Sequence, residues 1–424
     1  MNKRILLINP NTYKAPPAIP LGLEYAGSAL QQAGWEVFLS DLCFSEDPAG
    51  DAARAVRETC PLFTGVTIRN IDTALYRNNV YFIPEIAGIV KAIKAAGSKV
   101  VIGGAGFSAA PELILKTIGA DCGVKGPGER AIIRIAEEIA SGGEPAGITD
   151  GWKYGVDADF TPRRPFLADY GAYTADRGIP GFATHYGCNR ACGYCIEAGT
   201  PLIFRNPAAV IEELRILAAA GFNSFHLCDS EFNHDLHYAE TFASRLAGAG
   251  LGINWSLYMQ PAPWSERLIR VLKNSGADII TLSVDSSILN NPARGYYSYD
   301  DIRSLIELTG RYEIRVAVDL STGLPGENSD STVRTIEFFK RHAPAAVGVN
   351  STFRVYPGTR LQKMTAAELS LKNHLVDFRD ENGLTPYFYN HVPMQRLVEM
   401  IDGHPAFRIE GSDTASNYER LKSP

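Results

Sequence analysis

The sequence predicts an α/β chain with two parallel-sheet units: a doubly wound sheet in the N-terminal half and an open, partial (β/α)6 barrel in the second, followed by a short C-terminal segment. Three observations predict this. Short apolar runs alternate with stretches of helical apolar spacing. Small and polar residues gather where those runs end, which is where ligands lie in open α/β sheets and barrels. Three cysteines, Cys188, Cys192 and Cys195, sit in one loop with the spacing C-x3-C-x2-C.

The first unit spans residues 1–150. Its first strand is Arg4–Asn9, followed by a helix over about Leu21–Gly34 with Gly34 as its stop. Strands follow at Glu36–Asp41 and Phe63–Ile68, then a helix near Ile83–Ala96. Lys99–Gly103 is a continuous apolar strand of the kind parallel sheets bury on both faces. A helix at Pro111–Ile118, a strand at Cys122–Lys125 and a helix from about Glu129 complete the set. The strand ends carry Asn9-Pro10-Asn11, Thr67–Asn70, Gly103-Gly104-Ala105-Gly106-Phe107-Ser108 and Lys125-Gly126-Pro127-Gly128-Glu129. Glycines there let backbone approach a large ligand; tight βα turns account for them equally well.

Residues 151–178 lack clean periodicity and read as a linker, with Pro162 and Arg163-Arg164-Pro165. The barrel covers 179–362. Phe182–Tyr186 runs into the cysteine loop, and Asn206-Pro207 caps the next helix. Strands at Ser224–Cys228, Asn254–Met259, Ile279–Val284, Ile314–Leu320 and Ala346–Phe353 alternate with helices at about Tyr238–Leu246, Trp264–Leu272, Tyr299–Leu308 and Ser331–Arg341. Counting a tail helix after Thr365, six repeats fit an open barrel better than a closed eight-fold one. Residues 363–424 form the C-terminal segment; Tyr387, Tyr389, His391 and His404 are candidates for substrate contact, though such residues are more often ordinary packing.

The chain has 424 residues, a net charge of -6 and no apolar run of about 18 residues. No membrane span is expected, and the acidic balance argues against a nucleic-acid partner held through phosphates. The run Ile5–Ile8 is too short for a signal h-region and reads as a strand. With seven cysteines and no expected secretory signal, disulfides are not expected, which suits the cytoplasm. Cys43, Cys60, Cys122 and Cys228 read as small buried hydrophobes.

Three thiolates can hold three irons of a 4Fe-4S cube and leave the fourth open, whereas electron-transfer clusters take four. Zinc is the other reading of the trio. It would want a fourth ligand, for which His185 is near enough in sequence, but zinc sites tend to use paired C-x2-C knuckles.

The trio, with Tyr194 before the last sulfur, resembles the signature of the radical S-adenosylmethionine superfamily. The resemblance implies a 4Fe-4S cluster whose open iron binds S-adenosylmethionine and cleaves it to a 5′-deoxyadenosyl radical, with Tyr194 among the cofactor-binding residues. Asp229-Ser230-Glu231 stands where relatives bind the amino group and ribose, for which carboxylates are suitable acceptors. Asp285 stands where the family has a longer glutamate, which puts its ribose contact in question. Gly323-Leu324-Pro325-Gly326-Glu327 and Tyr356-Pro357-Gly358-Thr359 also match, the former as a structural turn beside the adenosine pocket.

The first half resembles the Rossmann-like cobalamin-binding domain of one branch of that superfamily, through Asn9-Pro10, Pro20-Leu21-Gly22-Leu23, Gly103-Gly104 with Ser108 and Pro111-Glu112, and Gly126-Pro127-Gly128-Glu129. The cobalt-ligating Asp-x-His-x-x-Gly motif is absent, as is common in the branch. The resemblance then implies that Arg69 or Asn70 lies at the lower corrin face without ligating cobalt; a solvated or phosphate-directed charge is the other reading of Arg69. Together these imply a cobalamin-dependent enzyme that methylates an unactivated carbon of a small metabolite and draws electrons from a donor such as flavodoxin or ferredoxin. Two rivals stay open: radical cyclisation, rearrangement or dehydration without methyl transfer, and a zinc-stabilised binding protein. Methylthiolation of RNA would call for extra N-terminal cluster cysteines and a basic C-terminal module, and neither is visible.

Overall fold

The computed structural model describes residues 2–162, 167–291, 296–379 and 383–410. Arg163-Arg164-Pro165 of the expected linker and the last fourteen residues of the C-terminal segment lie outside them.

The N-terminal unit is a six-stranded, wholly parallel sheet: β1 (Arg4–Asn9), β2 (Glu36–Asp41), β3 (Thr64–Thr67), β4 (Val100–Gly103), β5 (Cys122–Lys125) and β6 (Gly147–Asp150), in the order β2-β1-β3-β4-β5-β6. Ile5, Leu6, Leu7 and Ile8 are all buried because helices cover both faces. On one face lie α1 (Leu21–Gln32) and, later in the chain, Glu129–Ala140; on the other lie α2 (Pro48–Thr59) and α3 (Ile83–Ala95). Two short helices, α4 (Ala105–Ala109) and α5 (Pro111–Ile118), precede α6 (Glu129–Ala140), which turns Ala131, Ile132, Ile135, Ala136 and Ile139 inward at helical spacing. The sequence reading has no element where α2 lies. That helix buries only Ala52 and Val56, and Val56 is its one large apolar residue, so it lacks an apolar run; Asp47 as N-cap, accepting from Gly50 N at 3.1 Å, and Pro48 at its first position are the available signals. It also has no strand at β6.

The second unit is a seven-stranded parallel sheet, ordered β18-β14-β13-β12-β11-β10-β7. Its strands are β7 (Gly181–Phe182), β10 (Ser224–Leu227), β11 (Asn254–Met259), β12 (Ala277–Asp285), β13 (Arg315–Ser321), β14 (Ala346–Asn350) and β18 (Phe407–Ile409). The six expected repeats are present. The seventh strand, β18, comes from the C-terminal segment and was not expected. Two short strands, β8 (His185–Tyr186) and β9 (Ile203–Phe204), pair antiparallel around the cysteine loop. The remaining three, β15 (Thr352–Arg354), β16 (Leu375–Val376) and β17 (Phe388–Asn390), form a small antiparallel sheet over the barrel mouth.

The barrel strands alternate. Leu282, Val284, Val318 and Leu320 are buried against the helices, while Ser283, Asp285, Asp319 and Ser321 between them are half-buried on the other face. The interior is therefore polar, unlike the apolar filling of a closed barrel.

Buried polar links join the units. Arg205 Nη1 lies 2.9 Å from Glu213 Oε2 and donates to Tyr25 Oη of α1 at 2.9 Å, while Tyr25 Oη donates to Glu213 Oε1 at 3.0 Å. Arg354 Nε pairs with Asp72 Oδ2 at 2.7 Å and its guanidinium also donates to Gly383 O and Leu384 O. Tyr170 and Tyr173 of α7 (Tyr170–Ala175), in the linker, bind Glu24 and Asp41.

Candidate functional site

The cysteine loop is fastened at both ends. Cys188 N donates to Thr200 Oγ1 at 2.9 Å, and Leu361 N donates to Gly193 O at 2.7 Å. Gly187 has φ +75°, and a Cβ there would sit 2.0 Å from the Pro201 carbonyl oxygen, so only glycine can precede Cys188. Tyr194 packs its ring on Phe353 with centroids 5.2 Å apart. It therefore ties the loop to the small antiparallel sheet.

All seven cysteines are free thiols. The Arg190 amide and Ser230 near Cys188, and the Glu197 and Ala198 amides near Cys195, favour the thiolate form of those two residues. Burial raises the pKa of all three thiols, that of Cys192 to about 12, where its two neighbours, Asp285 and Glu231 add to the effect. Unmetallated thiolates are thus disfavoured, and a cationic group bound among them would reverse that. Among the described residues no three ligating side chains converge on a point suited to a single ion. His185, the residue a zinc reading needs, has both nitrogens directed elsewhere. Three soft donors spread along one loop, two of them beside backbone amides, fit an iron–sulfur cube better.

The segment after β10 divides its roles. Asp229 is buried and occupied: it accepts from Thr184 N at 2.7 Å and from the Thr184 hydroxyl, and its Oδ2 lies 3.0 Å from His185 Nδ1, off-line for an aligned hydrogen bond. Burial pushes its pKa up, but the His185 contact and the Thr184 hydrogen bonds outweigh that and leave it below its ordinary value. Ser230 Oγ donates to Gly187 O at 3.1 Å and lies 3.2 Å from His185 Nε2 and 3.1 Å from His234 Nε2. Glu231 is buried with Oε2 unpartnered. Burial lifts its pKa to about 8, opposed by a Ser283 hydrogen bond and by Arg190, and reinforced by Asp319. Asp285 caps a short helix by accepting from Ser287 N at 2.8 Å and takes part in the electrostatics of Cys192. Glu327 accepts from Gly323 N at 2.7 Å and Leu324 N at 3.1 Å, closing its own turn.

A cavity of about 620 Å³ opens between the two units. Gly103, Gly104, Ser108, Gly126, Gly128 and Glu129 line its N-terminal wall, and it runs inward along the sheet face past Leu7, Val66 and Ile132. Ser230, Ile196, Glu197 and Thr200 line the opposite wall. Ser108 Oγ accepts from Gly126 N at 3.0 Å and donates to Gly104 O at 2.9 Å, joining the two glycine turns. A wall of glycines at the strand ends, continued by an apolar slot, fits a large planar macrocycle with a tail.

Other predicted residues lie apart from that lining. Asn9 is buried, donating to Asp41 Oδ1 at 2.8 Å and Tyr173 Oη at 3.1 Å, so its side chain anchors the linker. Arg69, just past the end of β3, is exposed, with Cys228, Tyr173 and Cys43 nearby. Asn70 is exposed, its backbone packed where a Cβ on Gly106 would clash. Two of the four cysteines read as buried differ: Cys60 is exposed in the left-handed cap of α2, and Cys228 is exposed and lines the cavity. Tyr387 and Tyr389 are core residues of the antiparallel sheet, His391 stacks on His374, and His404 Nδ1 accepts from a turn amide. His234, Arg190 and Tyr186 were missed. His234 sits four residues past Ser230, a proximity that gives no hint that the loop folds the two side chains together.

A cysteine loop at the mouth of an open parallel barrel, facing a glycine-lined cleft in a doubly wound sheet, defines a radical SAM enzyme with a corrin-binding domain. Residues 15–136 match the family B12 binding domain and residues 183–339 the Radical SAM superfamily, and the chain belongs to the cobalamin-binding branch of that superfamily. It is 24% identical over 447 residues to tryptophan 2-C-methyltransferase of Streptomyces laurentii, covering 86% of this chain and 74% of that protein. It superposes with TM-score 0.80 and 26% identity on the radical S-adenosylmethionine methyltransferase TsrM of Kitasatospora setae with cobalamin and [4Fe-4S] cluster bound, covering 86% and 79% of the two chains. The cobalamin-dependent S-adenosylmethionine radical enzyme OxsB shares the fold at TM-score 0.69 and 14% identity, over 94% of this chain and 66% of that one.

Proposed function

We propose that this protein is a cobalamin-dependent radical SAM methyltransferase that modifies a carbon of a small metabolite. The observation that carries the reading is the shared wall: Ile196, Glu197 and Thr200 of the cysteine loop and the glycines of Gly103–Gly128 line one cavity. Cys188, Cys192 and Cys195 would hold the cluster, and the glycine turns with Ser108 and Glu129 the corrin. Glu231, with its unpartnered oxygen, and Asp285 are the acceptors for the amine and ribose of S-adenosylmethionine. Bound together, these cofactors supply the electron, the adenosyl group and the methyl group. The chain positions them and excludes water, and the half-buried polar residues of the barrel interior orient the substrate.

Among the described residues no helix is long and apolar enough to cross a membrane. A cytoplasmic enzyme reduced by a flavodoxin- or ferredoxin-like donor is consistent with seven free thiols. Tryptophan, the substrate named for the Streptomyces laurentii relative, is the first candidate to assay. The test is an anaerobic incubation with methyl-labelled S-adenosylmethionine and candidate metabolites. Labelled product with S-adenosylhomocysteine supports methyl transfer; 5′-deoxyadenosine with a rearranged, unlabelled product supports the rival radical chemistry.

A further inference from the structure

Gly65 stands in the middle of the first sheet, where the backbone gives no reason for a glycine. It lies inside β3, is buried, and its φ is not among the left-handed values that call for glycine. Glycine weakens a strand interior, and there it marks the close approach of another group. Its row across the sheet is Leu39, Leu7, Gly65, Val101 and Cys122, so the position without a side chain is the central one.

That gap opens on the cavity between the units. Leu7, Gly65 and Val101 all line it, and Val124 of β5, Leu23 and Ala26 of α1 and Ile132 of α6 complete the slot that runs inward from the glycine turns. A Cβ at Gly65 would lie 2.8 Å from Leu7 Cδ2 and 3.7 Å from Ile132 Cδ1, both tips of side chains that bound the slot. It would press those tips into the slot and meet no backbone atom. Leu7, Leu23, Ala26, Val101, Val124 and Ile132 are buried members of one apolar cluster, and none has a hydrogen-bonding side chain. A polar group pushed in among them loses water and gains no side-chain partner.

The slot continues from the turns assigned to the corrin, so its occupant is a group attached to that ring. Corrinoids share the ring and differ in the base that ends the nucleotide tail. Dimethylbenzimidazole, the base of cobalamin, presents methyl groups and no N–H donor. Adenine presents an exocyclic amine, which this lining would leave unpaired. We propose that Gly65 is a specificity residue for the corrinoid: the gap it leaves keeps open an apolar slot that takes a benzimidazole tail and rejects an adenine one. The inference rests on the cobalamin assignment above.

The test is equilibrium dialysis of the full chain, purified free of corrinoid, against cobalamin, adeninylcobamide and cobinamide, which has the ring without the base. Wild type should bind cobalamin about tenfold or more tighter than either of the others. Gly65→Val should bring cobalamin down to the level of cobinamide and leave cobinamide binding as it was, which also shows that the variant folds. Gly65→Ala should move cobalamin part of the way, and it decides if Gly65→Val loses both ligands. A wild-type chain that binds none of these corrinoids ends the cobalamin assignment and this inference with it. Equal binding of cobalamin and adeninylcobamide by wild type, or a preference for cobalamin that survives in the variants, overturns the inference alone and leaves Gly65 as room for the Leu7 side chain.

Discussion

Tyr186 Oη donates to Glu129 Oε1 at 3.0 Å, a hydrogen bond that crosses the cavity between the strand before the cysteine loop and the first residue of α6. Burial raises the pKa of Glu129 above its ordinary value, and the Tyr186 hydroxyl opposes that shift by hydrogen-bonding the charged form. Tyr186→Phe should cost about 1–3 kcal/mol of stability. It should also raise the Glu129 pKa further, which NMR titration of the labelled carboxyl would follow.

The Arg205–Glu213 pair is fully enclosed and shares Tyr25 with the N-terminal unit. Replacing one member leaves a buried charge unpaired, a loss of roughly 3–5 kcal/mol. Glu213→Gln should therefore lower the denaturant midpoint sharply. Tyr25→Phe, which leaves the charged pair intact, should cost about 1 kcal/mol.

Glu231 makes stability depend on pH with a definite sign. Its folded pKa, about 8, lies above the ordinary value of 4.5, so the folded state holds a proton that the unfolded chain has released. That stabilising contribution is complete below about pH 4.5 and is lost as pH rises through 8. Glu231→Gln should stabilise the cofactor-free protein relative to wild type by roughly 2–4 kcal/mol above pH 8, and the gain should shrink toward pH 5. Urea denaturation at pH 5.5 and 8.5 checks this; an equal effect at both would remove Glu231 as the cause.

Gly104 has φ +102°, and a Cβ there would meet the Ile68 carbonyl oxygen at 2.5 Å. Gly104→Ala should shift the β4–α4 turn into the cleft. Cobalamin retained through gel filtration should fall well below wild type while circular dichroism stays close to it.

The parallel strands were legible because burial on both faces writes them as unbroken apolar runs such as Ile5–Ile8, and the cysteine loop because its ligands are local in sequence. The alanine-rich α2, with Val56 as its one large apolar residue, and the three-residue β18, which pairs with β14, were not. Glu129 stood out in its glycine-rich turn, but Tyr186 did not, because its contact with Glu129 joins residues 57 apart. Asp229 matched an acidic motif, yet the Thr184 and His185 atoms that face its carboxylate come from the start of the segment leading to the cysteine loop, about 45 residues earlier. Composition and spacing carry no record of which acceptors a fold has already filled.

The most direct test of the central claim is the iron, sulfide, zinc and cobalt content of anaerobically reconstituted protein, with and without Cys188→Ala, Cys192→Ala and Cys195→Ala. The account predicts about four irons and four sulfides per chain with bound cobalamin, and loss of iron but not cobalt in the cysteine variants. Zinc in place of iron, or iron retained without the three thiols, would contradict it.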